Sequence, residues 1–196
     1  TIDNDPATQP DLCADIGTLT PQDILKATGW RPDVIWASPP CEKFSVVTIG
    51  RNWMKFGNEY LPKNPETVQA EALIEHTLML MRTLTANYFF LENPRGMLRK
   101  LEVVADVPRH TVTYCQYGDT RMKPTDIWTN LTYARFTPPC KNGDPCHPRT
   151  PRGTHLQGTH GLRNARERAQ IPPALCQHVL EMCETDILRW RGFGRP

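Results

Sequence analysis

The 196-residue sequence has no apolar run approaching the length of a bilayer span, and no secretory signal pattern is visible in it. A helical membrane anchor is therefore not expected within these residues. An excess of one charge sign is also missing. The formal net charge is +2, from 23 Lys and Arg against 21 Asp and Glu, so bulk charge selects neither a polyanionic nor a polycationic partner. Internal repeats and low-complexity segments are absent, which excludes solenoids and biased disordered tracts. What remains, 39% hydrophobic and 22% charged residues, suits one globular domain with a sizeable core.

Proline and cysteine, by contrast, are abundant. Nineteen prolines point to long ordered loops beside the regular elements. The seven cysteines (Cys13, Cys41, Cys115, Cys140, Cys146, Cys176 and Cys183) are odd in number and irregular in spacing. A chain of this size needs no covalent staples, so they read as reduced thiols in a cytoplasmic compartment. Positive charge gathers locally. Arg149, Arg152, Arg163, Arg166 and Arg168 face Glu167 alone, with His147, His155 and His160 nearby. This segment could meet phosphates, although charge alone favours a solvated surface.

"TPQDILKATG" predicts a short helix with Thr20 as N-cap, Pro21 in the first turn and Gly29 as the stop. "PETVQAEALIEHTLMLMRTL" predicts a longer one, with Val68, Ala72, Leu73, Leu78, Leu80, Met81 and Leu84 at roughly helical spacing and His76 as an ordinary helix residue. Val34–Ala37 and Tyr88–Leu91 read as continuously apolar strands, the pattern of central strands in a sheet covered on both faces. "HTVTYCQYG" and "TDIWTNL" predict two more. Residues 42–65 and 136–162 show no period and read as loops, and a closing helix broken at Pro172 and Pro173 carries apolar positions from Ile171 to Cys183. The order predicts an α/β fold with a largely parallel sheet, in which chemistry collects beyond the C-terminal strand ends.

Two residues sit at such ends. Pro39 and Pro40 stop the strand in "DVIWASPPCEKFS" and stiffen the backbone ahead of Cys41. Holding a thiol still in this way suits a nucleophile, whereas Cys115, Cys176 and Cys183, in apolar sequence, read as structural. Glu92 follows "YFFL" directly. Partial desolvation there should raise its pKa and allow it to share a proton with a ring nitrogen; taken alone, it could equally cap a helix or pair with Arg95 or Arg99.

The segment "SPPCEKFS" resembles the P-C-Q-x-F-S segment of DNA cytosine-5 methyltransferases, "ENP" resembles their E-N-V segment, and "YGDTRMKPTDIWTN" resembles their Y-G-x-x-Q-x-R-x-R segment. The closing "RERAQIPPALCQHVLEMC" is similar to the end of small phage-type members. The resemblance implies a Rossmann-like, S-adenosylmethionine-dependent methyltransferase fold and cytosine C5 methylation in DNA, in a bacterial or phage-infected cell. It makes Cys41 the nucleophile at C6 and Glu92 the group at N3 and the exocyclic amine. Lys123 and Thr125 fall at the arginine positions and would act near the base or a phosphate. Residues 42–65 would close over a base extruded from the duplex. Asp3 with Asn4, Asp15 with Ile16, and Pro39 would line the cofactor. Ser45, Arg149, Arg152 and Arg163 would contact DNA. The implied organisation is a catalytic core over 1–129, a recognition insert over 130–170 and a C-terminal helix over 171–196.

Three departures accompany the resemblance: Glu42 replaces the usual glutamine, the arginine pair is weakened, and the family's first strand with its glycine-rich turn has no counterpart after residue 1. Losing that strand would expose a sheet edge. Two other functions remain open: a catalytically inactive DNA-binding relative, and an enzyme modifying C5 of free pyrimidine nucleotides. Cys140, Cys146, His147 and His155 are zinc ligands by type, but their spacing matches no standard finger. A proline-held coil is preferred, and no metal ligand is assigned.

Overall fold

The computed structural model describes residues 1–149 and 165–192. Arg152, Arg163, His155 and His160 lie outside the described residues. The chain divides into two compact units. The first comprises Thr1–Pro108 with Trp128–Asn130, and the second Arg109–Ile127 with Leu131–Pro196. Among the described residues no helix is long and apolar enough to cross a membrane.

The first unit opens with two short parallel strands, β1 (Ile2–Asp3) and β2 (Leu12–Cys13). Helix α1 (Pro21–Thr28) follows, starting and stopping where its local chemistry predicts. Thr20 accepts from the Asp23 backbone N–H while the Asp23 side chain accepts from the Thr20 backbone, and Gly29 ends the helix. Strand β3 (Val34–Ala37) leads to the segment expected to be a loop. It is instead largely ordered: helix α2 (Ile49–Asn52), then β4 (Trp53–Phe56) and β5 (Glu59–Pro62) in an antiparallel hairpin. Its two-residue turn puts Gly57 at φ 59°, where a side chain would be strained. The alternation along β4 and β5 is too short to register against the surrounding polar residues.

Helix α3 (Pro65–Thr83) is capped by Asn64, whose Oδ1 accepts from the Thr67 N–H at 3.0 Å and the Thr67 hydroxyl at 2.7 Å. Its buried positions are Thr67, Ile74, Thr77, Leu78, Leu80 and Met81, whereas Val68 is exposed, so the buried face is rotated from the expected one. Strand β6 (Tyr88–Pro94) is buried from Tyr88 to Asn93 and runs three residues beyond the predicted end, carrying Glu92 inside it. Phe44, Trp53, Ile74, Leu78, Met81, Leu91, Met97 and Trp128 belong to one apolar core.

The second unit holds β7 (Arg109–Thr113), most of β8 (Pro124–Thr129), α4 (Ala165–Ala169) and α5 (Pro173–Gly192). Leu175, Val179 and Cys183, four residues apart, form the buried stripe of α5. A four-stranded sheet runs in the order β3-β6-β8-β7, with β8 itself shared by the two units.

The architecture is α/β around a central sheet, but two expectations about that sheet do not hold. It is mixed rather than largely parallel. β3 and β6 pair in parallel, whereas the Tyr114 N–H donates to Met122 O, the Thr111 hydroxyl bonds Asp126, and the Thr129 N–H donates to Pro108 O, a descending register that makes β7 and β8 antiparallel. Moreover, β3 is an edge strand with all four residues half-buried, not a central one. An apolar run reports a preference for burial; it does not report how many strands flank it.

Candidate active site

The parallel register of β3 and β6 places Ala37 opposite Leu91, so the residues following each strand emerge at the same end. Ser38, Pro39, Pro40 and Cys41 follow β3, and Glu92 and Asn93 continue β6. Cys41 is half-buried and in no disulfide. Glu92 is only 4% exposed, and Asn93 is fully buried. The Asn93 amide donates to Pro39 O at 3.4 Å, tying the Pro-Pro segment to the neighbouring strand, while its own Oδ1 is buried without a hydrogen-bond partner among the described residues.

Beyond the thiol, four consecutive backbone carbonyls are each claimed by a donor. Cys41 O accepts from the Phe44 N–H at 3.0 Å. Glu42 O accepts from the Thr48 hydroxyl at 2.6 Å. Lys43 O accepts from the Trp53 indole at 2.8 Å and the Asn52 amide at 3.3 Å. Phe44 O accepts from the Met97 N–H at 2.7 Å. The Phe44 ring is fully buried beside Trp53, with centroids 5.9 Å apart. A turn closed by its own Cys41–Phe44 hydrogen bond, with its next three carbonyls held by residues outside it, has little freedom to move. Thr48, Asn52 and Trp53 act through a hydroxyl, an amide and an indole N–H, and Met97 through its backbone N–H; none is legible as a support in the sequence, because the carbonyl each one meets is fixed only by the fold.

On the β1–β2 side, Asp3 and Asn4 are exposed at the end of β1, and Asp15 is exposed two residues beyond β2. Asp3 Oδ1 accepts from the Asp5 N–H at 2.8 Å, and Asp15 Oδ1 from the Gly17 N–H at 2.9 Å. Both carboxylates are therefore held at the ends of parallel strands. Ile16 packs towards Ile24, Leu80 and Leu84. Pro39 and Ser45 are half-buried in the first unit, and Arg149 is exposed in the second.

Lys123 and Thr125 have partners within the second unit. The Lys123 ammonium, 4% exposed, donates to Arg168 O at 2.8 Å and lies 4.3 Å from the centre of the Tyr114 ring. The buried Thr125 hydroxyl donates to Lys123 O at 3.1 Å. Motif matching also passed over Arg121, which makes a two-pronged pair with Asp119 at 3.0 and 2.6 Å. Burial pushes the Asp119 carboxyl up, but its hydrogen bonds and ion pair with Arg121 outweigh this and hold it below the usual carboxylate range. Because the folded pKa is depressed, the pair contributes its full stability above the ordinary value of 3.8 and loses it as pH falls through the folded value. We predict that Arg121→Ala lowers stability by about 2–3 kcal/mol at neutral pH, by leaving a desolvated carboxylate behind, with the penalty shrinking in acid. Urea titrations at two pH values would show this, and a pH-independent loss would contradict it.

The cysteines divide differently from expectation. Cys176 is exposed, and Cys115 packs against two other thiols rather than an apolar wall. Burial first, and then these neighbours, push the Cys115 thiol up to about 12.

No protein-family profile matches the chain. Over 167 residues it is 29% identical to the probable DNA (cytosine-5)-methyltransferase of Frog virus 3 (isolate Goorha), covering 77% of this chain and 75% of that protein. The resemblance to the DNA cytosine-5 methyltransferases carried by the short motifs thus extends over most of the chain.

Proposed function

We propose that this protein transfers a methyl group from S-adenosylmethionine to C5 of cytosine in DNA, through a transient bond between Cys41 Sγ and C6 of the base. The observation that carries this reading is the β3–β6 register, which brings a stiffly held thiol and a desolvated carboxyl to one end of two adjacent strands. The similarity to the Frog virus 3 protein supports the choice of base and polymer.

The chemistry needs both groups. C5 of cytosine is a weak nucleophile until something adds to C6. As the Sγ–C6 bond forms, the electron pair of the C5–C6 double bond moves towards C5 and the ring. Glu92 in its acid form gives a proton to N3 and accepts from the exocyclic amine, which disperses the developing charge. When bound, S-adenosylmethionine supplies the electrophilic methyl group that C5 takes up. Water takes the C5 proton as the double bond reforms and Sγ leaves, and N3 returns its proton to Glu92. Asp3 and Asp15 suit the hydroxyls of the cofactor's ribose and its adenine amine, because their acceptor oxygens are exposed and oriented by backbone N–H groups. Pro39, Asn4 and Ile16 would complete that side. Val46 and Val47, exposed beside Ser45, offer the apolar surface that residues 42–65 would need to close over an extruded base. Arg149, Arg152 and Arg163 would meet the phosphates. No step is assigned to Lys123 or Thr125.

Trapping tests this reading directly. Fluorine at C5 cannot leave as a proton does, so the thiol should remain on the ring after methyl transfer. A pool of 5-fluorocytosine DNA with the methyl donor should give a denaturant-stable complex, with Cys41 as the modified residue. An adduct at another residue, or none with a folded protein that binds the DNA and the donor, would overturn the assignment. Glu92→Gln should slow methyl transfer by about 10²-fold or more, in line with general acid catalysis, while DNA affinity changes little. Matching losses in both would make Glu92 a structural residue instead.

A further inference from the structure

The geometry points to a structural zinc site in the second unit, formed by Cys115, Cys140, Cys146 and His147. Their ligating atoms all lie within 4.8 Å of one another. Sγ of Cys115 is 3.2 Å from Sγ of Cys140 and 3.6 Å from that of Cys146. Nδ1 of His147 is 3.6 Å from Cys140 Sγ and 3.4 Å from Cys146 Sγ. Zinc bound tetrahedrally by thiolates and imidazole requires edges of roughly 3.8 Å between sulfurs and roughly 3.6 Å between sulfur and nitrogen. Three of the four observed edges lie within about 0.2 Å of these values, and the Cys115–Cys140 pair, at 3.2 Å, would open slightly around the ion.

The surroundings fit a closed site. Cys115 and His147 are buried, and Cys140 and Cys146 are half-buried, leaving no open position for substrate, as in structural rather than catalytic zinc centres. Three thiolates and an imidazole also select a soft or borderline cation over magnesium or calcium. The Gln116 amide donates to Cys146 Sγ at 3.3 Å, the kind of outer hydrogen bond that orients a thiolate and offsets its charge. Nδ1 of His147 is the ring atom that faces the sulfurs, and Nε2 is buried without a hydrogen-bond partner among the described residues.

The local chain is built to present these groups. Cys115 sits in a 3-10 turn (Tyr114–Tyr117) at the end of β7. Cys140 is brought to it by its own N–H, which donates to the Thr113 hydroxyl at 3.1 Å. Between Cys140 and Cys146 the chain reverses in a tight turn: the Lys141 N–H donates to the Asp144 carboxylate, and the Asp144 N–H to Lys141 O. Residues 134–149 contain no helix or strand, an uncommon length of coil to hold by scattered hydrogen bonds alone. A single disulfide would use two of the three sulfurs and leave the third against the imidazole; one cation engages all four groups. Binding releases the three thiol protons to solvent. Sequence spacing did not reveal this site, because Cys115 lies 25 residues before Cys140 and only the fold brings it there. The inference does not depend on the methyltransferase reading.

Elemental analysis of the full chain, purified with a reductant and without chelator, should find zinc at roughly one per chain. With the metal bound, Cys115, Cys140 and Cys146 should resist alkylation while exposed Cys13 and Cys176 react, and stripping the metal should expose Cys140 and Cys146. Cobalt(II) in place of zinc should give the intense absorption of tetrahedral thiolate coordination. Cys140→Ala with Cys146→Ala should reduce metal content to background, whereas Cys176→Ser should leave it unchanged. Should the double variant fail to fold, alkylation and cobalt spectra of the unsubstituted chain still decide. A folded, reduced protein without stoichiometric metal, whose Cys140 and Cys146 alkylate as fast as Cys13 with or without added zinc, would overturn the site. So would a mass two hydrogens lower with no metal bound.

Discussion

Cys41→Ser is expected to reduce methyl transfer by at least about 10³-fold while leaving the melting temperature within a degree or two. The two halves of this result have separate causes. A serine hydroxyl is hardly ionised at neutral pH and is a far weaker nucleophile than a thiolate, so addition to C6 should stall. The fold should not notice, because Cys41 is half-buried and absent from the apolar core, and an oxygen in place of sulfur leaves no large cavity. The turn around it is held through backbone carbonyls that the substitution leaves in place. Methyl transfer from labelled cofactor, beside a thermal melt of the same preparation, gives both numbers. Normal turnover would remove Cys41 from the mechanism, and loss of both folding and activity would make it a structural thiol.

The second large effect comes from a residue with no chemistry of its own. Gly96→Ala should destabilise the first unit by about 3 kcal/mol and remove most activity. A Cβ at position 96 would lie 2.2 Å from Phe44 O and 3.2 Å from its carbonyl carbon. That neighbour is backbone and cannot rotate aside. Phe44 O also accepts from the Met97 N–H, and the Phe44 ring is locked in the core. Either the 41–44 turn or the chain at Gly96 must shift, and a shift of the turn moves Cys41. Denaturant unfolding and activity assays should therefore fall together. A variant as stable and as active as the parent would show that the contact between these two segments is not close.

These two residues illustrate unequal legibility. Cys41 and Glu92 could be singled out as candidates in one dimension because flanking prolines and an acid after four apolar residues are local facts, although β6 runs on past Glu92. Helix α1 was legible for the same reason: its capping box, proline and glycine all lie within ten residues. Gly96 was not legible, since the oxygen it must clear belongs to a residue 52 positions earlier. The hairpin over residues 53–62 was missed because its strands are four residues long and mostly exposed, so burial imposes little pattern on them. The mixed sheet was missed because apolar runs carry no direction: whether β7 and β8 run parallel or antiparallel depends on the short return between them.

The amino-acid sequence by itself determined the α/β class, the helix boundaries set by capping, and the position of Cys41 just beyond one strand and of Glu92 after the apolar run of another. Each of these is written in neighbouring residues through backbone sterics, local hydrogen bonds and alternating or continuous hydrophobicity. Only the tertiary structure decided that β3 is an edge strand, that three carbonyls after the thiol are held by residues outside its turn, and that Cys115 joins Cys140, Cys146 and His147. Such contacts join atoms far apart along the chain. A carbonyl oxygen or a thiol looks the same in a sequence whether or not folding brings it a partner.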